Sequence, residues 1–233
     1  MAADGKAEKP LRKPAGWKAR PLPRGRHGLA REVVQGSQRD RLIVAMLKLV
    51  ARQGYAKTTV PEVVAAARVS RNAFYQFFAD KEACFLAACE QEAGSLIEAI
   101  AAATTRGDWI ARLKNGLPVY LQWWQDRPEL TRAYFLEMPT VGLRAVEQRE
   151  RAYRPFVDLF RHLARSVPGM DSKDPLRTET LPRMLVIALT EIVAAEVRAG
   201  RSDRLTALGK PALYLIVRAL GRDADARNTL AAR

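Results

Sequence analysis

The chain of 233 residues holds only two cysteines and two histidines, and these shortages close off several functions at once. Cys84 and Cys89 stand five apart on one expected helix, which turns them to different faces. Free thiols in a reducing cytoplasm are therefore expected, not a disulfide. His27 and His162 are far apart in sequence, and no ligand spacing joins them to the cysteines, so neither a metal site nor a cofactor is expected. There is no glycine-rich phosphate loop and no grouping of acid, base and nucleophile, so an enzyme is not expected. Long apolar runs are missing too. The longest, 185–195, is too short to span a bilayer and is interrupted by Glu191, which leaves no membrane partner to expect. The basic N-terminus has no apolar h-region and does not read as a secretory signal. Alternating β-branched runs and Asn-Gly hairpin turns are also lacking, which points to an all-α fold.

Acidic residues are in short supply: 39 Lys+Arg face 25 Asp+Glu, a net charge of +14. Residues 1–90 carry 17 basic against 8 acidic side chains, or +9, and residues 91–233 carry 22 against 17, or +5. The excess is densest in the first part, a distribution suited to phosphate contact.

That part carries the most informative stretch, residues 58–85. Ahead of it, Leu42, Met46, Leu49 and Val50 recur at helical spacing over 37–53, with Ser37 as expected N-cap and Gly54 as the terminating residue. Thr58 or Thr59 caps the next helix, whose Pro61 falls in the first turn, where backbone N–H groups lack partners. Val60, Val63, Val64 and Ala67 supply its apolar face. After a turn at 67–69, Ser70 caps a helix over 71–77, and Asp80 caps a longer one over about 80–105. Two short helices, a tight turn and a third capped helix are the layout of a helix-turn-helix DNA reader.

Residues 37–88 resemble the DNA-binding domain of the TetR family of bacterial transcriptional regulators. The matching residues are Gly54-Tyr55, Thr58-Thr59-Val60, Val69-Ser70, Ala73-Phe74-Tyr75, Phe78 and Asp80-Lys81-Glu82. Arg68 departs from the family, which usually has glycine in the turn, and Pro61 stands where a small helix former is usual. The resemblance implies an N-terminal three-helix reader and a C-terminal helical ligand-binding and dimerisation domain, with 1–36 as a basic arm, 37–83 as the reader and 84–233 as the body.

The helix over 71–77 is then the recognition helix. Arg71 and Asn72 at its start are the base-reading candidates, since Arg bridges guanine O6 and N7 and Asn bridges adenine N6 and N7. Gln76 is a further candidate almost two turns along. The resemblance places Tyr75 and Lys81 at phosphates, and Thr58 or Thr59 at another, where a helix N-terminus favours an anion. Ser70, like the threonines, is a helix cap whether or not DNA is present. In the arm, Arg24 and Arg26 either enter the adjacent minor groove or belong to a solvated tail.

The body reads as further helices over about 108–127, 129–137, 143–166, 181–199 and 204–220, with Pro118 and Pro155 inside two of them. Trp109, Tyr120, Trp123, Trp124, Tyr134, Phe135, Met138, Phe156 and Phe160 either line a pocket for a small apolar or aromatic ligand or simply form core. Glu137 and Glu191 are the acids to watch, since each lies in or beside an apolar segment and a buried acid needs a partner; Glu191 is a pocket residue, a solvated group or a partner across a dimer. In the resembled family the last two helices pair with their copies. A homodimer through Leu185, Leu189, Ile192, Leu213, Ile216 and Leu220 follows. The expected function is a cytoplasmic, sequence-specific transcriptional regulator, a repressor released from a double-stranded DNA operator by a small-molecule effector. The alternative is an architectural protein that coats DNA with little sequence choice.

Overall fold

Leu42, Ile43, Met46, Leu47 and Val50 are all buried, and the helix that carries them, α1 (Arg31–Gln53), is the axis on which the N-terminal part assembles. A computed structural model describes residues 31–169 and 173–221, so Arg24 and Arg26 of the arm lie outside the described residues. Helix α1 starts earlier than its sequence suggests. Ser37 is inside it, because nothing in 31–37 stops a helix except Gly36, and one interior glycine costs only about 1 kcal/mol. Gly54 ends α1 at φ 84°, where a missing side chain makes the left-handed turn cheap.

Against α1 pack α2 (Val60–Ala67) and α3 (Arg71–Phe77). Three of the four expected caps are made as read. Thr59 and Glu62 form a reciprocal capping box on α2, the Ser70 Oγ accepts from the Ala73 N–H at 3.1 Å, and Asp80 accepts from the Ala83 N–H at 2.6 Å. Each such cap contributes about 1 kcal/mol. Arg68 takes the left-handed conformation itself, at φ 53° and ψ 49°, and is the only non-glycine with positive φ among the described residues. The turn between α2 and α3 is thus kept at the cost of backbone strain. Phe74, wholly buried, pins α3 to this core, with its ring 5.6 Å from that of Phe78.

The helix α4 (Lys81–Ala103) leaves the reader and enters the body, packing on α1, α5 (Trp109–Gln125) and α7 (Leu143–Arg165). Then α8 (Leu181–Arg198) packs on α7, and α9 (Gly209–Leu220) on α5 and α8. No strand occurs among the described residues. Two segments differ from their sequence pattern. The expected helix over 129–137 is divided into the five-residue α6 (Pro128–Arg132), a π-helical segment Ala133–Glu137 and a 3-10 turn Met138–Thr140. The last helix starts at Gly209, not near 204, after a 3-10 stretch Ser202–Leu208. Pro211 has no N–H to give to a preceding turn, so an α-helix must begin within a turn of it.

Candidate nucleic-acid interface and effector cavity

Helix α3 presents Arg71, Asn72, Tyr75 and Gln76 to solvent while Phe74 points inward. The guanidinium of Arg71 lies 5.8 Å from the centroid of the Tyr75 ring, so the two form one surface at the helix start. Ser70 is exposed beside them and spends one lone pair on its cap. A short helix with an exposed Arg–Asn pair at its first turn and an aromatic anchor behind it is shaped for major-groove contact.

The expected phosphate contacts divide. Thr58 is fully buried and its hydroxyl donates to the Gly54 carbonyl at 2.9 Å, so it is a core residue closed to phosphate. Thr59 is exposed, but its hydroxyl donates to Glu62 Oε2 at 2.8 Å, and Gln53 Nε2 also reaches that carboxylate at 3.2 Å. These hydrogen bonds, the Thr59 hydroxyl's foremost, hold Glu62 below the usual carboxylate range. The N-terminus of α2 therefore already carries an anion. The Lys81 ammonium donates to the Tyr55 carbonyl at 3.0 Å and sits 4.1 Å from the centroid of the Tyr55 ring. Two of its three protons remain for other acceptors.

In the body, α4, α5, α7, α8 and α9 enclose an apolar cavity of about 70 Å³. Six of the aromatic candidates line it: Tyr120, Trp124, Tyr134, Phe135, Phe156 and Phe160. Four candidates do not. Trp109 packs against Gly221, where an added Cβ would meet its ring at 2.7 Å. The ring of Trp123 is covered by the Arg127 guanidinium at 3.7 Å. Met138 lines a second cavity, of about 190 Å³ between α4 and α7, with Tyr134 as a shared wall. Glu191 is exposed and ion-paired with Arg198 on its own helix, so it is a solvated residue and no pocket acid.

The apolar cavity also has polar members. Tyr153, Thr190 and Arg112 line it, and none was singled out as a site residue from the sequence. Thr190 is the one hydroxyl in the apolar run 185–195, and that is the signal that was there to find. Its hydroxyl donates to the Val186 carbonyl at 2.7 Å, and it lines the cavity together with Tyr120 and Tyr153. Burial pushes both phenols, and that of Tyr134, above the ordinary tyrosine value. The Trp124 indole N–H is buried and makes no hydrogen bond.

The expected dimer residues are mostly interior. Leu185, Leu189, Ile216 and Leu220 are buried within one protomer, and Leu189 and Ile216 line the cavity. An apolar helix between layers must bury its stripe against its own chain first, and the sequence does not say which stripe remains. Leu213 is half-buried and Ile192 exposed. On the last two helices the exposed large apolar side chains are Met184, Ile187 and Ile192 of α8 and Tyr214 and Leu215 of α9; Leu143 and Val146 of α7, Leu176 and Tyr75 are exposed elsewhere.

Cys84 and Cys89 are both buried and free, and burial raises the Cys84 thiol to about 12. Among the described residues no cluster of potential metal ligands occurs, and no helix is long and apolar enough to cross a membrane.

Residues 42–88 match the family model described as bacterial regulatory proteins, tetR family. The uncharacterized HTH-type transcriptional regulator YerO of Bacillus subtilis (strain 168) is 39% identical over 57 residues, 24% of this chain. The match spans 20% of the length of that relative. Solved structures share the fold over most of the chain. The fatty acid degradation regulator FadR from Bacillus halodurans superposes with a TM-score of 0.69 at 21% identity, over 78% of this chain and 96% of that one. FadR from Bacillus subtilis, in complex with stearoyl-CoA, gives 0.68 at 18%, over 77% and 97%. SmeT, the repressor of the Stenotrophomonas maltophilia multidrug efflux pump SmeDEF, gives 0.65 at 17%, over 80% and 92%.

Proposed function

By its N-terminal domain the chain belongs to the tetR family of bacterial regulatory proteins, and we propose from that premise that it is a sequence-reading repressor released from DNA by a small apolar ligand. The observation that carries the reading is the outward face of α3, where Arg71 and Asn72 are exposed at the first turn. Arg71 and Asn72 read base edges, Tyr75 and Lys81 touch phosphates, and Gln76 and Ser70 flank them. Thr59 contributes only if its hydroxyl leaves Glu62. An architectural coat would need charge alone and no such paired donors, so sequence reading is the better account.

The reader works as a homodimer through the exposed face of α8 and α9. Met184, Ile187, Tyr214 and Leu215 form an apolar surface on two neighbouring helices, and a second copy of the same face covers it by two-fold symmetry. Two α3 helices are thereby presented to half-sites about one turn of DNA apart.

The effector enters the apolar cavity. Its lining of Leu, Phe, Trp and Tyr side chains suits an apolar body, and the hydroxyl group of Tyr120, Tyr153 and Thr190 suits one polar function on it. The stearoyl-CoA of one structural relative and the efflux pump governed by another make a lipid-like or drug-like molecule the class to try first. The ligand releases DNA to the degree that it binds the released arrangement more tightly than the DNA-competent one.

The test is binding of the purified protein to the DNA flanking its own gene and to shuffled DNA of equal length, at roughly physiological salt. Preference for the flanking DNA by about a thousandfold supports a reader. Equal affinities that fall together with salt contradict it.

A further inference from the structure

Glu137 belongs to the body by sequence, yet its carboxylate is spent on the reader. Its Oε2 accepts the backbone N–H of Tyr55 at 2.9 Å, across a separation of 82 residues. It also fills the space beside Gly54, where an added Cβ would meet Oε2 at 3.3 Å. The 54–57 turn joins α1 to α2, and this carboxylate serves one of its backbone donors. The carbonyl of the same residue, Tyr55, accepts the Lys81 ammonium at 3.0 Å. One residue thus stands between Glu137 and a side chain expected at phosphate.

The other end of the same segment is the cavity wall. Glu137 closes the π-helical stretch Ala133–Glu137, in which Tyr134 and Phe135 line the apolar cavity. A separation of three would keep Tyr134 and Glu137 near one face of an α-helix. The wider π turn opens that angle, so that the aromatics face inward while the carboxylate reaches the reader. π-Helical stretches are energetically unfavourable and concentrate at functional sites. Here the stretch also packs on α1 itself.

We propose that Glu137 is a positioning residue for the DNA reader, which ties the cavity wall at Tyr134 and Phe135 to the 54–57 turn that joins α1 to α2. The proposal rests on the reading of the cavity as an effector site. Displacement of the two aromatics by a ligand moves the π segment, removes the acceptor from the Tyr55 N–H and shifts the turn that sets the angle between α1 and α2.

The test uses the full-length protein, with a duplex selected by the wild type from a random-sequence library and a shuffled duplex as control. In E137A the Tyr55 amide should exchange with deuterium about tenfold faster, and affinity for the selected duplex should fall about tenfold, the loss of one charge-assisted hydrogen bond. Affinity for the shuffled duplex should hold, and the thermal midpoint should fall by only a few degrees, the cost of that one hydrogen bond. E137Q keeps an acceptor and should recover part of the selected-duplex affinity. Leu189→Phe crowds the cavity from α8, far along the chain from the reader, and Leu113→Phe does so independently from α5. Each should weaken selected binding in the Glu137 background and add little in E137A. Unchanged Tyr55 exchange overturns the proposal, as does equal loss on both duplexes, or crowding effects that simply add to E137A. A wild type without sequence preference fails the repressor reading and takes the proposal with it. Preference that E137A leaves intact fails the proposal alone.

Discussion

The reader and the body meet opposite packing demands in one chain. In the reader, the short helices α2 and α3 are each fixed at their start by a side-chain cap and pinned against the long α1 by the fully buried Val63 and Phe74. Its one strained residue, Arg68, is held by caps on both sides. The body uses longer helices but interrupts them, with Pro118 and Pro155 inside α5 and α7 and π stretches at 133–137 and 176–180. It also leaves a cavity and an indole N–H without a partner in its core. On the proposed function, a reader that presents the same face every time is closed and capped, while a body that admits a ligand keeps slack where helices are broken.

The difference is broken most severely at Phe74. Phe74→Ala should cost about 3–5 kcal/mol, measured by denaturant unfolding, because no neighbour can fill the space. A loss near that of a surface change would mean the reader is as yielding as the body. Next comes the shared surface of the bodies. Ile187→Glu with Leu215→Glu places charge on the apolar face of α8 and α9, and sedimentation should then show a monomer that binds selected DNA weakly. A dimer that survives both changes puts the contact elsewhere.

Alkali sharpens the comparison. Cys84 is raised to about 12 from 9.0 and Tyr55 to about 12 from 10.0, both mainly by burial, and Tyr120 and Tyr134 of the body rise further still. A raised folded value means that the protonated group's contribution is complete below the unfolded value and fades as pH climbs through the folded one. Stability should therefore hold to about pH 9 and decline between there and 12, with ionisation of the buried Tyr120 and Tyr134 appearing together with unfolding. Either of these two phenols titrating near 10 in the folded protein contradicts the buried cavity wall. The smallest effect belongs to Arg68. Arg68→Gly relieves a left-handed residue and should gain up to about 1 kcal/mol, seen as a higher melting temperature.

The reader was legible because its signals are local. A capping residue, the N–H three positions on and an apolar stripe at helical spacing lie within one short window, so Thr59, Ser70 and Asp80 announced their helices. The face of α3 followed from the same window. The body was legible as helices but not in its pairings. Whether Leu189 faces a second copy or a cavity depends on what α5 and α7 bring against it, and Glu137 finds its partner 82 residues away. The burial of Thr58 escaped for the same reason: its hydroxyl is claimed by Gly54, and only the packed turn decides which of two adjacent threonines is the cap. The π stretch at 133–137 leaves no periodic signature, since the aromatic residues there fit an α-helical stripe equally well.

The most direct measurement is fluorescence anisotropy of the Arg71→Ala, Asn72→Ala double variant on the selected and shuffled duplexes. Each bidentate base contact contributes about 1–3 kcal/mol of discrimination, so the account predicts that selected affinity falls to the shuffled level while the dimer and the shuffled affinity persist. Selectivity that survives the double change would contradict a reader that works through the first turn of α3.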